Sequence, residues 1–101
     1  MSVEVLRKAL ASPDYATRLI AVEAAGETRV PQAIEWLGAA LGDPEHDVRV
    51  AAVEALGKQG APRAEELLRT VRDDESEDLD IRALASSALL SSTSTNEGGS
   101  R

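Results

Sequence analysis

The stretch from Asp43 to Gly57 reads D-P-E-H-D-V-R-V-A-A-V-E-A-L-G and has the pattern of one short helix with marked ends. Asp43 is a good N-cap, because its carboxylate can accept a hydrogen bond from a free amide of the first turn. Pro44 suits the first helical position, where a missing N–H costs nothing. Gly57 is expected to end the helix, since glycine adopts the left-handed conformation without a Cβ clash.

The apolar surface of this predicted helix is wider than one packing partner requires. One stripe at helical spacing consists of Val48, Ala51, Ala52, Ala55 and Leu56. Val50 and Val53 lie on the far side of the same helix. We therefore expect this helix to have neighbours on both sides, with the alanines allowing them to approach closely.

The same plan occurs 31 positions earlier, from Ser12 to Gly26, and less closely from Asp78 to Leu90. Aligning residues 13–41 with residues 44–72, without gaps, gives 11 identities in 29 positions. Repeats of this length are typical of solenoids. The sequence thus predicts an all-α fold, a short α-solenoid of about six antiparallel helices in a single repeat domain, residues 1–90.

The predicted helices begin at cap and proline signals along the chain. They cover Ser2–Ala11, Ser12 to Gly26, Pro31 to Leu41, Asp43–Gly57, Pro62 to about Val71, and about Ile81–Leu90. Residues 91–101 contain no apolar residue, and we expect a flexible, disordered C-terminal tail there.

Composition excludes several functions. The net charge of −7 and the pI near 4.6 disfavour general affinity for nucleic acid or for an anionic membrane. The absence of cysteine excludes disulfides and thiolate sites. No apolar run has the length of a membrane span, and charges at Glu4, Arg7 and Lys8 interrupt any signal-peptide pattern. A cytoplasmic location is the expectation.

Catalysis and cofactor binding have little support in the sequence. The chain has no Gly-rich phosphate loop and no Ser-His-Asp set, so we predict no enzyme activity and no cofactor. His46 stands among acidic residues, but one imidazole without a second His or a Cys is a weak transition-metal pattern. The acidic run at 73–80 lacks the ligand spacing of an EF-hand loop. We predict no metal site.

Arg18, Arg49 and Arg82 recur at equivalent positions of the repeats. They could form an anion-binding row. The favoured interpretation is structural: each guanidinium bridges to loop carboxylates such as Asp47 or Asp80, or to loop carbonyls.

The run D-P-E-H-D-V-R-V-A-A-V-E-A-L-G-K-Q-G resembles the HEAT-like repeat of the phycobilisome-lyase type, over about residues 2–90. The second helix departs from the pattern, with Ala16 in place of Asp47 and Ala25 in place of Leu56. The resemblance implies an α-solenoid whose second helices line the concave face. It mostly implies protein binding and scaffolding; a minority of relatives assist attachment of bilin chromophores, and a few recognise modified DNA bases.

From these observations we predict a non-catalytic protein-interaction or scaffolding module that binds a protein segment on its concave face. The candidate partner-binding residues are Arg7, Lys8, Glu35, Trp36 and Arg69. Gly38 and Ala39 would form a dip between charged walls, and Trp36 would either edge that dip or fill a gap between helices. The predicted ligand is an acidic or mixed-charge segment.

Two alternatives remain open at this point. One is an accessory subunit of a lyase or another enzyme, and the other is a self-associating structural protein. The sixth helix lacks a following partner, so it should either expose Ile81, Leu84, Leu89 and Leu90 in part or bury them in a weak homodimer.

Overall fold

Six helices follow one another in this computed structural model, which describes the backbone of residues 2–99 and the side chains of residues 2–91. The helices are α1 (Val3–Leu10), α2 (Tyr15–Gly26), α3 (Gln32–Ala40), α4 (His46–Gln59), α5 (Pro62–Asp73) and α6 (Leu79–Gly99). Residues 2–99 contain no strand. The all-α class predicted from the repeat pattern is confirmed.

The helices form three hairpins, α1–α2, α3–α4 and α5–α6, stacked in chain order. The even-numbered helices pack extensively side by side, α2 on α4 and α4 on α6. The odd-numbered helices touch much less, since α3 meets α5 only in part and α1 packs mainly on α2. We call the closely packed even-numbered helices the inner row and the odd-numbered helices the outer row.

Helix α4 lies at the centre of the array and packs against α2, α3, α5 and α6. Its residues Val48, Ala52, Val53 and Leu56 are fully buried, which explains why its apolar surface extends around the helix. The largest fully buried side chains are all aliphatic: Leu37, Leu56, Leu68, Ile81, Val22, Val48 and Val53. Among the described residues, no polar or charged residue is buried.

The ends of α4 differ from the sequence prediction. The helix begins at His46 with Glu45 at the N-cap, and the Asp43 carboxylate accepts a hydrogen bond from the Glu45 amide at 2.9 Å instead of capping the helix directly. The helix continues through Gly57 to Gln59, and it ends at Gly60, whose φ is 65°. The predicted stop at Gly57 is therefore wrong by one turn, because Gly60 supplies the left-handed cap.

Gly26 ends α2 and also allows two even-numbered helices to approach closely. It is the last residue of α2, and an added Cβ would lie 2.8 Å from Ala55 Cβ on α4. A side chain at this position would force the two helices apart. The small residues predicted to bring helices together thus act at the α2–α4 contact.

Helix α6 extends from Leu79 to Gly99, whereas the sequence predicted a helix over about residues 81–90. The sequence predicted a flexible tail at residues 91–101. The structure describes the side chain of residue 91 alone among these, and residues 100 and 101 lie outside the described part of the chain. The tail stays a prediction.

Candidate protein-interaction surface

The repeated arginines connect the turns of successive hairpins. Arg18 Nε and Nη2 donate to both carboxylate oxygens of Asp43, at 2.8 and 3.1 Å, and its Nη1 donates to the Ser12 carbonyl at 2.9 Å. Burial opposes ionisation of Asp43, but the bonds from Arg18 and from the Glu45 amide outweigh it and lower the pKa of Asp43. The turn before α2 is therefore joined to the turn before α4 by a charge-assisted, bidentate contact between Arg18 and Asp43.

Arg49 repeats this arrangement one hairpin further along. It donates to the Asp43 carbonyl at 2.9 Å, to Glu77 at 3.1 Å and to Asp78 at 3.2 Å. Arg82 lies on the last described helix, α6, and donates to the Arg72 carbonyl at 3.0 Å. The structural interpretation of these arginines is confirmed, but their carboxylate partners are Asp43, Glu77 and Asp78, and not the predicted Asp47 or Asp80.

His46 connects the start of α4 to the start of α6. Its Nδ1 lies 3.1 Å from Asp47 Oδ1 and its Nε2 lies 2.7 Å from Asp80 Oδ2. The hydrogen bonds to Asp47 and then Asp80 raise the pKa of His46, and His46 lowers that of Asp80. His46, Asp78 and Asp80 bring three possible metal ligand atoms within 4.8 Å of one another. Both carboxylates are exposed, and the direct His46–Asp80 contact accounts for the grouping without an ion.

The five predicted partner-binding residues all lie on the outer row. Arg7 and Lys8 are on α1, Glu35 and Trp36 are on α3, and Arg69 is on α5. The sequence analysis placed them on the concave face; this placement stays a prediction, and in the structure they lie on the more loosely packed of the two rows. Equivalent spacing along the repeat predicted that they share a row, but it did not show which row is the inner one.

Two of the five residues lie at one cleft between α1 and α3. Arg7 and Trp36 line an open cavity of about 200 Å³. The remaining lining residues are Leu10, Ala11, Arg18, Val22, Ala39, Ala40, Asp43 and Val48. Trp36 is half-buried and packs against the core, while the Arg7 guanidinium is exposed and hydrogen-bonded to Glu4. The result is an apolar cleft with an aromatic edge and a cationic rim.

The predicted Gly38/Ala39 dip is divided between two places. Leu67 of α5 packs onto Gly38, where an added Cβ would lie 3.1 Å from Leu67 Cδ1. Ala39 instead lines the cleft beside Trp36. The equivalent of Gly38 on α1 is Arg7, 31 positions earlier, which is too large to receive Trp36 in the same way. The cleft therefore lies between α1 and α3, where Trp36 cannot pack onto Arg7 as Leu67 packs onto Gly38.

The other predicted residues are not gathered at the cleft. Glu35 accepts hydrogen bonds from Arg63 of α5, and the bond and charge of Arg63 lower the pKa of Glu35 despite partial desolvation. Lys8 and Arg69 are exposed and form no ion pair within residues 2–91. Arg69 lies two repeats away from Arg7. The cleft therefore retains Trp36 and Arg7, with Lys8 on the same short helix.

The inner row has a polar groove that the sequence analysis missed. Glu23 and Glu54, at equivalent positions of two repeats, flank a floor of Ala51 and Ala55 in an open groove of about 460 Å³, with Lys58 at one end. Lys58 binds Glu27 at 2.7 Å. The 31-residue offset between the two glutamates was the signal that could have revealed this acidic pair.

The family model of HEAT repeats matches residues 3–89. The chain belongs to the HEAT repeat family. HEAT repeats are generally protein-interaction or scaffold modules and are typically non-catalytic. A comparison with curated proteins gave no match. In the described part of this HEAT repeat array, no helix combines the length and apolarity that crossing a membrane would require.

Proposed function

We propose that this HEAT repeat array is a protein-interaction module that holds a segment of a partner protein at the cleft between α1 and α3. The observation that carries the proposal is the apolar cavity between α1 and α3, which is edged by Trp36. Tryptophan and arginine are the residue types most enriched at binding hot spots. Both line this cleft.

The size of the cleft favours a protein side chain over a cofactor. Its volume of about 200 Å³ lies below the range of roughly 300–1,000 Å³ that is usual for small-molecule sites. One large aliphatic or aromatic side chain would fill it. Val22 and Val48, both fully buried, lie beneath the cleft, so its floor rests on well-packed core.

The charges at the rim favour an acidic residue next to that apolar side chain. Arg7 and Lys8 are both exposed on α1, and within residues 2–91 Arg7 alone of the two has an acidic partner, Glu4. The chain as a whole is acidic, with a net charge of −7, so a local basic rim would orient an acidic segment as it approaches. We therefore propose a partner segment with one large apolar residue flanked by carboxylates.

Tryptophan fluorescence tests the site directly, because Trp36 is the only tryptophan of the chain. A partner without tryptophan, recovered by affinity capture from the source lysate, should change the emission of Trp36 on titration. Arg7→Glu should weaken that binding roughly tenfold or more, as expected when a rim charge is reversed. Arg29→Glu makes the same charge change in the exposed loop after α2, outside the cleft, and should leave the affinity nearly unchanged.

Binding that leaves Trp36 emission unaltered, or that responds equally to both charge reversals, would contradict the cleft as the site. It would not contradict protein binding by the array. Loss of binding on Glu54→Lys together with unaltered Trp36 emission would move the site to the acidic groove of the inner row.

A further inference from the structure

The outward face of α6 has an apolar stripe that no element within residues 2–91 covers. Ile81 and Ala85 are fully buried against the array, whereas Leu79 and Leu90 are 77% and 68% exposed. Leu79, Ala83, Ser86 and Leu90 follow one another at steps of four, three and four residues, so they lie on one side of the helix. The sequence analysis expected Ile81 to be either partly exposed or buried in a homodimer; the structure buries Ile81 within the array and exposes Leu79.

We propose that this stripe is the interface of a homodimer in which α6 packs antiparallel against α6 of a second copy. The spacing of four, three and four reads the same in both directions. A two-fold axis between Ala83 and Ser86 would place Leu79 opposite the partner's Leu90 and Ala83 opposite the partner's Ser86. A two-fold interface must be self-complementary in this way.

The side chains of the stripe suit a close antiparallel crossing. The small Ala83 and Ser86 would lie at the centre, where the two helix backbones approach most closely. The two leucines would lie at the ends. Beside Leu79 is a shallow groove of about 340 Å³, lined by Arg72, Asp73, Leu79, Arg82, Ala83 and Ser86. This groove would receive the partner's Leu90.

Repeat geometry argues against another HEAT hairpin as the occupant. Within the array, Gly26 of α2 faces Ala55 of α4, and Gly57 of α4 faces Ala88 of α6. These glycines allow each even-numbered helix to approach the next one closely. After the two extra residues of the connector, the equivalent position on α6 is Leu90. A leucine there would hold off a helix that stacks in the regular way. A further copy therefore has to approach in a different geometry, which the palindromic stripe provides.

The charges on this face permit self-association despite the acidic chain. Arg72 pairs with Asp73 at 2.8 Å, and Arg82 and Asp80 are balanced in sign. The interface is small, since one helix pair should bury less than the roughly 1,200 Å² of a standard stable interface. We therefore expect a weak dimer that is in exchange with the monomer.

Sedimentation equilibrium of the full chain from micromolar to millimolar concentration tests the dimer. The wild type should shift from monomer toward dimer, and Leu90→Glu and Leu79→Glu should each raise the dissociation constant at least tenfold. Ile20→Glu replaces a residue that is 60% exposed on α2 at the other end of the array, and it should dimerise like the wild type. All three substituted residues are exposed, and circular dichroism of each variant would verify folding. A wild type that stays monomeric at millimolar concentration overturns the proposal, as does dissociation by Ile20→Glu but not by Leu90→Glu.

Disulfide trapping tests the antiparallel register. The chain has no cysteine, so single substitutions give unambiguous products. A mixture of Leu79→Cys and Leu90→Cys chains should oxidise mainly to the mixed dimer. Predominant Leu79→Cys or Leu90→Cys homodimers would indicate a parallel contact and overturn the antiparallel arrangement.

Discussion

At the scale of single residues, the arginines that connect the turns are the polar contacts with most effect on stability. Replacing Arg49 with Ala removes bonds to the Asp43 carbonyl, Glu77 and Asp78 and leaves the largely buried Glu77 carboxylate without its partner. Hydrogen bonds to charged groups contribute about 1.5–3 kcal/mol, so we expect Arg49→Ala to lower the free energy of unfolding by about that amount.

Arg82→Ala provides the matched control for that measurement. Arg82 occupies the equivalent repeat position, but within residues 2–91 its side chain makes one hydrogen bond, to the Arg72 carbonyl. A single hydrogen bond contributes about 1 kcal/mol, so this variant should lose clearly less stability in urea or thermal unfolding. Equal losses for Arg49→Ala and Arg82→Ala would show that the carboxylate bridges contribute little.

His46 gives the stability a predictable dependence on pH. Its pKa is raised in the folded protein by Asp47 and Asp80, and the nearby Asp78 carries the same sign of charge. A raised folded pKa means that protonated His46 stabilises the fold fully below the unfolded pKa of about 6.5 and that this contribution is lost as pH rises through the folded pKa. The difference in Tm between wild type and His46→Gln should therefore be larger at pH 5.5 than at pH 8.5. A difference that is constant with pH would contradict the bridge.

The sequence predicted which residues matter at this scale better than it predicted their partners. Arg18, Arg49 and Arg82 were recognised by their equivalent positions in the repeats, and the favoured structural interpretation holds. Their partners depend on how one turn lies over the next. Asp43 suited an N-cap locally, yet it lies where Arg18 of the preceding hairpin can reach it. This tertiary contact has no signal in the local pattern.

At the scale of whole helices, the two equivalent glycines Gly26 and Gly57 should respond differently to alanine. In Gly26→Ala the new Cβ would lie 2.8 Å from Ala55 Cβ and 3.1 Å from its Cα, so α2 and α4 must separate. Overpacking of this kind typically costs about 1–3 kcal/mol. We expect a loss in that range by chemical denaturation.

Gly57→Ala should be nearly neutral or slightly stabilising. Its Cβ would meet only Ala88 Cβ, at 3.3 Å, and Gly57 lies inside α4, where alanine gains about 0.8–1.0 kcal/mol of helix propensity over glycine. If both substitutions destabilise the protein equally, the close approach at Gly26 is not the decisive difference between the two crossings.

The ends of helices were harder to predict than their faces. Local signals placed the start of α4 at Asp43 and its end at Gly57, but the helix extends from His46 to Gln59. Gln59 donates through its side-chain amide to carbonyls at the end of α2, which helps to retain the last turn of α4. Apolar faces are determined by periodicity within one helix, whereas its limits also depend on neighbouring hairpins.

At the scale of the whole molecule, the candidate binding site follows from a difference between repeats. The repeat offset aligned the outer helices correctly, and it equates Arg7 with Gly38. Only the structure shows that Leu67 packs onto Gly38 while Trp36 leaves a cleft beside Arg7. The repeat spacing used in the sequence analysis could not reveal which helices separate.

The same architecture predicts a gradient of local stability along the array. Helix α1 has eight residues, buries only Leu6 and packs mainly on α2, whereas α4 contacts four other helices. A terminal element with few contacts opens locally, while a central one exchanges only on global unfolding. Native-state hydrogen exchange should therefore show the least protection in α1 and the most in α4. Leu6→Ala should speed exchange chiefly in α1, whereas Leu56→Ala, in the fully buried centre of α4, should speed exchange in the best-protected amides of every helix. If Leu6→Ala also destabilises those slowest amides as strongly as Leu56→Ala does, α1 belongs to the same cooperative unit as α4 and the gradient is absent.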